Sequence, residues 1–171
     1  IEHAQMVRAQ DLHRFRELQL VASVQPSHAI DDMRWIEHRI GSRVHTAYRL
    51  RSFLQHGIHV ACGTDWTVEP LDPMLTLYAA VCRELPEGGP AGGWQAQEII
   101  SLVQAIELYT EGSAWAEGLA SSKGRRKPGY YADFIMLEPD LLYRSPQAIL
   151  HSRVQTTVVG GHIVYDRQGI L

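Results

Sequence analysis

"HVACGTDWTVEPLDP", His59 to Pro73, is the stretch whose reading decides the fold. Val60, Ala61 and Cys62 are small or apolar and read as a buried strand. Gly63 and Thr64 loosen the pattern, and a carboxylate, Asp65, stands where the strand ends. Trp66 follows, and then a loop holding Pro70 and Pro73. A charge at the end of a buried strand is costly unless it has a partner to face.

Working outward, strands and helices alternate. "IEHAQM" reads as a strand end. Asp11 to Leu18 places Leu12, Phe15 and Leu18 at helical spacing, with Asp11 as the N-cap. "QLVASVQPSH" is the next strand, with β-branched Val21 and Val24, closed by Pro26. A helix starts between Asp31 and Arg39, and "AYRLRSFLQHG" is helical up to Gly57 as its C-cap. "IHVACGTD" is a strand and "MLTLYAAVCREL" a helix with an apolar face. A short strand near "RVHTAY" is an open question. This alternation is the signature of a parallel α/β sheet or barrel. After the loop "PEGGPAGG", Ser101 and Gln104 form a capping box, and a second helix lies around "SAWAEG". "YADFIML" reads as a strand and "VQTTVVGGHIVYD" as a hairpin turning at Gly160–Gly161.

Composition narrows the function classes. The chain has 171 residues, 45% of them hydrophobic, enough for a packed core. Its 16 basic and 19 acidic residues give a formal charge of −3, against a nucleic-acid binder. No apolar run nears the roughly 20 residues of a membrane span, and no signal peptide is visible. Cys62 and Cys82 form no CxxC, so a reducing, cytoplasmic setting is expected. Cys62 reads as a small buried hydrophobe. Nine histidines are many for this length. The start at Ile1, already at a strand end, points to a piece of a longer chain.

Three polar residues share one place in the rhythm: His3, His28 and Asp65 each follow an apolar strand. In a (β/α)8 barrel all strand C-termini face one mouth, where active sites are built. His3 and His28 are 25 residues apart, and His28 and Asp65 are 37 apart. With about 31 residues per βα unit, the first gap suits one unit; the second suits one long unit or two compressed ones. Two imidazoles and a carboxylate are good zinc ligands, and a neighbouring carboxylate can accept a proton from water. Each residue taken singly also reads as a hydrogen-bonded structural group. Gln25 and Trp66, beside these positions, are candidates to line a substrate pocket. His13, His38, His45, His56 and His59 read as surface or core-edge residues, and the basic loop "KGRRK" as solvated.

"IEHAQ", "SVQPSH", "AYRLRSFLQHGIHVACGTDWTVEPLDP" and "AAVCRE" resemble the amidohydrolase superfamily, in its family 3 branch of N-substituted formamide deformylase-like enzymes. "ELYTEGSAWAEG", "KPGYYADFIMLEPD" and "VQTTVVGGHIVYD" are similar to the same family's C-terminal region. The resemblance implies that His3 and His28 are metal ligands and that Asp65 binds metal and acts as general base. The family's "GSD" reads Gly63-Thr64-Asp65, and Tyr130 stands where Lys is usual after "PG". The family's first-strand HxH motif and its middle-strand bridging residue have no counterpart.

The expected fold is therefore α/β: the C-terminal strands and helices of a metal-dependent (β/α)8 TIM barrel over residues 1–118, then a β-rich, sandwich-like tail over 119–171. The implied activity is hydrolysis of a non-peptide amide-type C–N bond by metal-activated water, with one or two divalent ions, Zn2+ first. The expected partner is a small amide-type substrate, not nucleic acid or membrane; a homodimer of the intact enzyme stays open. By itself the chain is expected to be inactive or nearly so. A truncated, non-catalytic remnant serving as a binding or assembly partner is the alternative.

Overall fold

"VASV" sets β-branched residues around small ones, a pattern that fits pleated, half-buried backbone. In the computed structural model, which describes residues 1–142 and 144–169, Val21–Val24 forms strand β1. Strand β2 is His59–Cys62, paired parallel to β1 from Val21↔His59 to Val24↔Cys62. The chain start lies on the other side of β1: Glu2 bridges Ser23 in parallel, and the Ser23 N–H donates to the Ile1 carbonyl at 3.0 Å. Three extended segments thus run side by side in one direction, and their C-terminal ends share one edge.

Helices enclose this arc. Helix α1 is Leu12–Glu17 and buries Leu12 and Phe15. Asp11 does not cap it; its carboxylate takes the Arg8 guanidinium instead, at 2.6 Å. Helix α2, Pro26–Asp32, begins straight after β1 because Pro26 at its first turn needs no backbone donor. Helix α3 (Ile36–Ile40) and a 3-10 turn (Gly41–Thr46) follow, then helix α4 (Leu50–Gln55). Between β1 and β2 there is no further strand among the described residues. The "RVHTAY" segment makes only one antiparallel bridge, Met6↔Ala47. The wide gap between His28 and Asp65 is therefore one long unit.

Helix α5, Pro73–Cys82, is capped by Asp72, whose carboxylate accepts from the Met74 N–H at 3.0 Å. Helix α6, Leu102–Glu107, carries the capping box of Ser101 and Gln104. A π-turn, Leu108–Gly112, leads into helix α7, Ser113–Ala116. Gly112 is required there: a Cβ on it would lie 2.1 Å from the Val60 carbonyl oxygen, so only glycine lets this turn lie against β2.

One apolar core joins these parts. Ala22, Val24 and Val60 from the strands meet Phe15, Phe53, Leu77, Tyr78 and Leu108 from the helices. Strands β3 (Phe134–Glu138), β4 (Arg153–Val159) and β5 (His162–Asp166) form a separate antiparallel sheet in that order, the β4–β5 hairpin turning at Gly160–Gly161. Helix α8, Gln147–Leu150, sits between β3 and β4 and buries Ile149 in the main core, as does Leu141.

Candidate metal centre

His3, His28 and Asp65 come together at the shared strand-end edge. One ligand atom from each lies within 4.8 Å of the other two. The Asp65 Oδ2 is 3.9 Å from His3 Nδ1 and 3.9 Å from His28 Nε2. The two imidazole rings stack at 6.2 Å between centroids.

Local backbone explains the convergence. His3 (φ +65°) and Asp65 (φ +58°) both sit in the left-handed region, where non-glycine residues are uncommon and His and Asp are enriched. Each chain thus turns sharply where its extended segment ends, and the side chain swings to the edge. Such conformations cost about 1–3 kcal/mol each and gather at functional sites. His28 arrives differently. It lies in the first turn of α2 rather than on the strand, and its residue is only 8% exposed. Helix α2 is pinned to α5 by a buried contact in which Thr76 Oγ1 donates to Ser27 Oγ at 3.4 Å. The end of β2 is held as well: the Ser113 hydroxyl donates to the Cys62 carbonyl at 3.2 Å.

The charges suit a cation. Burial pushes the His28 pKa down, against the opposing pull of Asp65 and Asp32, and so favours the neutral imidazole that can ligate. Among the described residues nothing hydrogen-bonds the buried His28 Nε2. A buried nitrogen with a lone pair, aligned with a second imidazole and a carboxylate, is a donor set that fits a divalent ion. Donors at ~2.0–2.2 Å from a tetrahedral zinc stand about 3.4 Å apart, so closing the 3.9 Å gaps needs only about half an ångström.

The sequence reading misses Glu2. Its Oε1 accepts from Gln25 Nε2 at 2.6 Å and from Ser23 Oγ at 2.9 Å. Burial works to raise its pKa, but those hydrogen bonds outweigh it and hold the carboxyl below its ordinary value. No local sequence signal marks it: only the Glu2↔Ser23 bridge brings Ser23 beside it, with Gln25, two residues on, on the same face. Gln25 is buried, and its Oε1 lies 3.1 Å from His3 Nδ1. Trp66 stands 65% exposed beside Asp65.

Tyr48 braces the edge from behind. Its hydroxyl donates to the Asp32 carboxylate on α2 and accepts from Gln5 Nε2 at 3.0 Å, tying the chain after His3 to the helix that carries His28. Burial, then the Asp32 contact, raises its pKa far above the phenol range. Cys62, one strand position below the edge, is pushed up to about 12 by burial and stays a thiol. A groove of about 650 Å³ opens beside His28, with Ser27, Asp31, Trp35, Val68 and Glu69 on its walls. Burial, and then the charges of Asp31 and Asp32, raise the Glu69 pKa there.

A parallel arc that gathers two histidines and a carboxylate at one edge is a donor set that fits a divalent ion. The comparisons with known proteins give the family and the fold. The model of the amidohydrolase family matches residues 1–165, and the chain belongs to that family. YtcJ of Bacillus subtilis (strain 168), which carries amidohydrolase in its name, is 31% identical over 166 residues, covering 96% of this chain and 31% of its own. The N-substituted formamide deformylase of Arthrobacter pascens is 27% identical over 122 residues, 71% of this chain and 22% of its own. The crystal structure of an uncharacterized metal-dependent hydrolase from Pyrococcus horikoshii OT3 superposes with a TM-score of 0.73 at 33% identity, over 96% of this chain and 31% of that one. The described residues are thus part of an amidohydrolase α/β barrel, and the chain spans about a third or less of these relatives' length.

Proposed function

We propose that the chain supplies one arc of the active site of a metal-dependent hydrolase acting on a non-peptide amide-type C–N bond. The observation that carries this reading is the convergence of His3, His28 and Asp65, with a buried His28 nitrogen that no described residue hydrogen-bonds. Relatives named for amidohydrolase and deformylase activity supply the bond type. His3, His28 and Asp65 would hold the ion, and two imidazoles with a carboxylate favour zinc. When bound, such an ion polarises a carbonyl and lowers the pKa of water.

The protein's own residues do the proton work. Asp65 accepts the proton of the attacking water as its oxygen adds to the carbonyl carbon. Asp65 then gives that proton to the nitrogen as the C–N bond breaks, leaving a carboxylic acid and an amine. His28, kept neutral by burial, holds its nitrogen toward the same point without competing for that proton. Trp66 and the walls of the adjoining groove shape the approach for a small substrate.

The chain by itself carries three of these donors on an arc, and its relatives are about three times longer. We therefore expect it to bind metal while turning over little or no substrate. Elemental analysis of the purified chain tests the reading: near-stoichiometric zinc, lost in both His3→Ala and Asp65→Ala, supports it. Zinc retained by both variants would overturn the ligand assignment.

A further inference from the structure

We infer that Tyr48 is a positioning residue for the metal centre: its hydroxyl joins the segment carrying His3 to the helix carrying His28, and so sets the separation of the two imidazoles. The inference rests on the metal-site reading above and deepens it.

Both histidines come from pieces of chain that need fixing. His3 (φ +65°) and Ala4 (φ +42°) are left-handed in succession. Such residues persist only where the surrounding structure holds them. His28 lies in the first turn of α2, and Asp32 stands four residues on, on the same face of that helix. A shift of either segment moves one imidazole relative to the other and to Asp65, whose Oδ2 is 3.9 Å from His3 Nδ1 and from His28 Nε2.

Tyr48 holds both pieces. Its backbone N–H donates to the Gln5 carbonyl at 2.7 Å, and its hydroxyl accepts from Gln5 Nε2 at 3.0 Å. The residue two beyond His3 is therefore fixed at its backbone and at its side chain. The same hydroxyl donates to the Asp32 carboxylate. A phenol is donor and acceptor at once, so one oxygen spends its proton on α2 and a lone pair on the His3 segment. Gln25, at the N-cap of α2, reaches the His3 ring itself, whereas Tyr48 secures the backbone that carries the ring.

Tyr48 is anchored in turn. It is 9% exposed and left-handed at φ +53°. Its carbonyl accepts from Arg83 Nη1 at 3.2 Å, and its ring meets Trp94 edge-on, 6.1 Å between centroids. Arg83 is 1% exposed and donates from Nε to the Trp94 carbonyl at 2.7 Å. A hydroxyl held by the core gauges the spacing of two segments better than a contact between their own side chains.

Tyr48→Phe keeps the ring and removes the hydroxyl. Cobalt(II) serves as the probe beside zinc, because its visible bands report coordination geometry. Tyr48→Phe should bind both ions about 10–100-fold more weakly, the loss that removing an outer partner typically brings, and should change the cobalt spectrum. Asp32→Ala should do the same. Asp32→Asn keeps an acceptor for the hydroxyl and should stay within about threefold of the unsubstituted chain. Tyr48→Phe with Asp32→Ala should lose little more than either alone, since both break one connection. Ser101→Ala, which removes a helix cap, controls for lowered stability; it should leave affinity within about twofold and the cobalt spectrum unchanged. An unaltered cobalt spectrum in Tyr48→Phe, or a zinc affinity no weaker than that of Ser101→Ala, would overturn the inference. Fully additive losses in the double variant would do the same. If the unsubstituted chain takes up neither ion, the metal reading fails alone, because 1H–15N spectra of the metal-free chain still decide the role of Tyr48. There Tyr48→Phe should shift the backbone amides of both His3 and His28, and either signal left in place overturns the coupling.

Discussion

The two sheets of this molecule are built from similar residues and treat them in opposite ways. In the parallel pair, Ala22, Val24, Val60, Ala61 and Cys62 are all buried, and the polar groups sit at the strand ends. In the antiparallel sheet, Phe134, Ile135 and Met136 of β3 and Ile163, Val164 and Tyr165 of β5 are exposed. Burial under helices makes the first sheet rigid enough to hold His3, His28 and Asp65 to within a few ångströms. The second sheet is held mainly by its own ladder, and Val158 is its one buried apolar residue among those described. The difference puts the buried strands and the candidate site in the same half of the molecule, its core completed by Leu141 and Ile149.

The sharpest way to break that contrast is to open the core behind the strands. Phe53 of α4 is 1% exposed and packs on Phe15, ring centroids 5.7 Å apart. Phe53→Ala should cost about 3–5 kcal/mol in chemical denaturation, through lost transfer energy and the cavity left behind. Val164→Ala on β5 should stay within about 0.5 kcal/mol. Equal losses at the two positions would remove the distinction between the sheets.

Gly112 tests the same wall from outside. An added Cβ would meet the Val60 carbonyl, which is backbone in a buried strand and cannot step aside cheaply. Gly112→Ala should therefore cost about 1–3 kcal/mol as overpacking, and it should displace β2, which leads directly to Asp65. A thermal shift together with reduced zinc uptake would show both effects. A neutral result would mean that the π-turn is free to lift from the strand.

How much of this is legible in the sequence depends on the range of the interaction involved. Val21–Val24 and His59–Cys62 announce themselves through β-branching and apolar runs, and the Ser101–Gln104 box through local hydrogen-bonding chemistry. The convergence of His3, His28 and Asp65 is legible only in part: the rhythm puts each at a strand end, while the 37-residue gap from His28 to Asp65 fits one unit or two. The structure chooses one because Tyr48, at φ +53°, turns the chain out of a bridge at Ala47 instead of extending it. Spacing carries no trace of such a left-handed residue. His28 on a helix was within reach, since Pro26 is a natural first residue of one. Asp11 shows the opposite failure: a good capping residue whose carboxylate is taken by Arg8. Glu2 was hidden because its partners, Ser23 and Gln25, lie more than twenty residues away.

The capping box offers a smaller effect on the helix behind β2. The Gln104 N–H donates to the Ser101 hydroxyl at 3.2 Å, and the Ser101 N–H to Gln104 Oε1 at 3.0 Å. Ser101→Ala should lower stability by about 1 kcal/mol, read as a shifted denaturant midpoint with an unchanged slope. Gln104→Ala should lose less, because it leaves the hydroxyl bond in place. A larger loss at Gln104 would mean that the cap is not what starts α6.

The smallest effect belongs to the surface pair on the π-turn. The Arg125 guanidinium reaches Glu111 through two of its nitrogens, and this hydrogen bond, ahead of the opposing effect of burial, holds the Glu111 carboxyl below its ordinary value. A carboxyl depressed in the folded state stabilises it above the unfolded pKa, and that contribution is lost as pH falls through the folded value. Both side chains are more than a third exposed, so solvent and salt screen the pair. Wild type should therefore exceed Glu111→Gln only slightly at pH 7. The margin should close as pH drops below about 4 and shrink in molar salt. A margin that persists at low pH or high salt would mean that Glu111 acts through packing on the turn, making this edge of the wall part of the rigid half of the molecule.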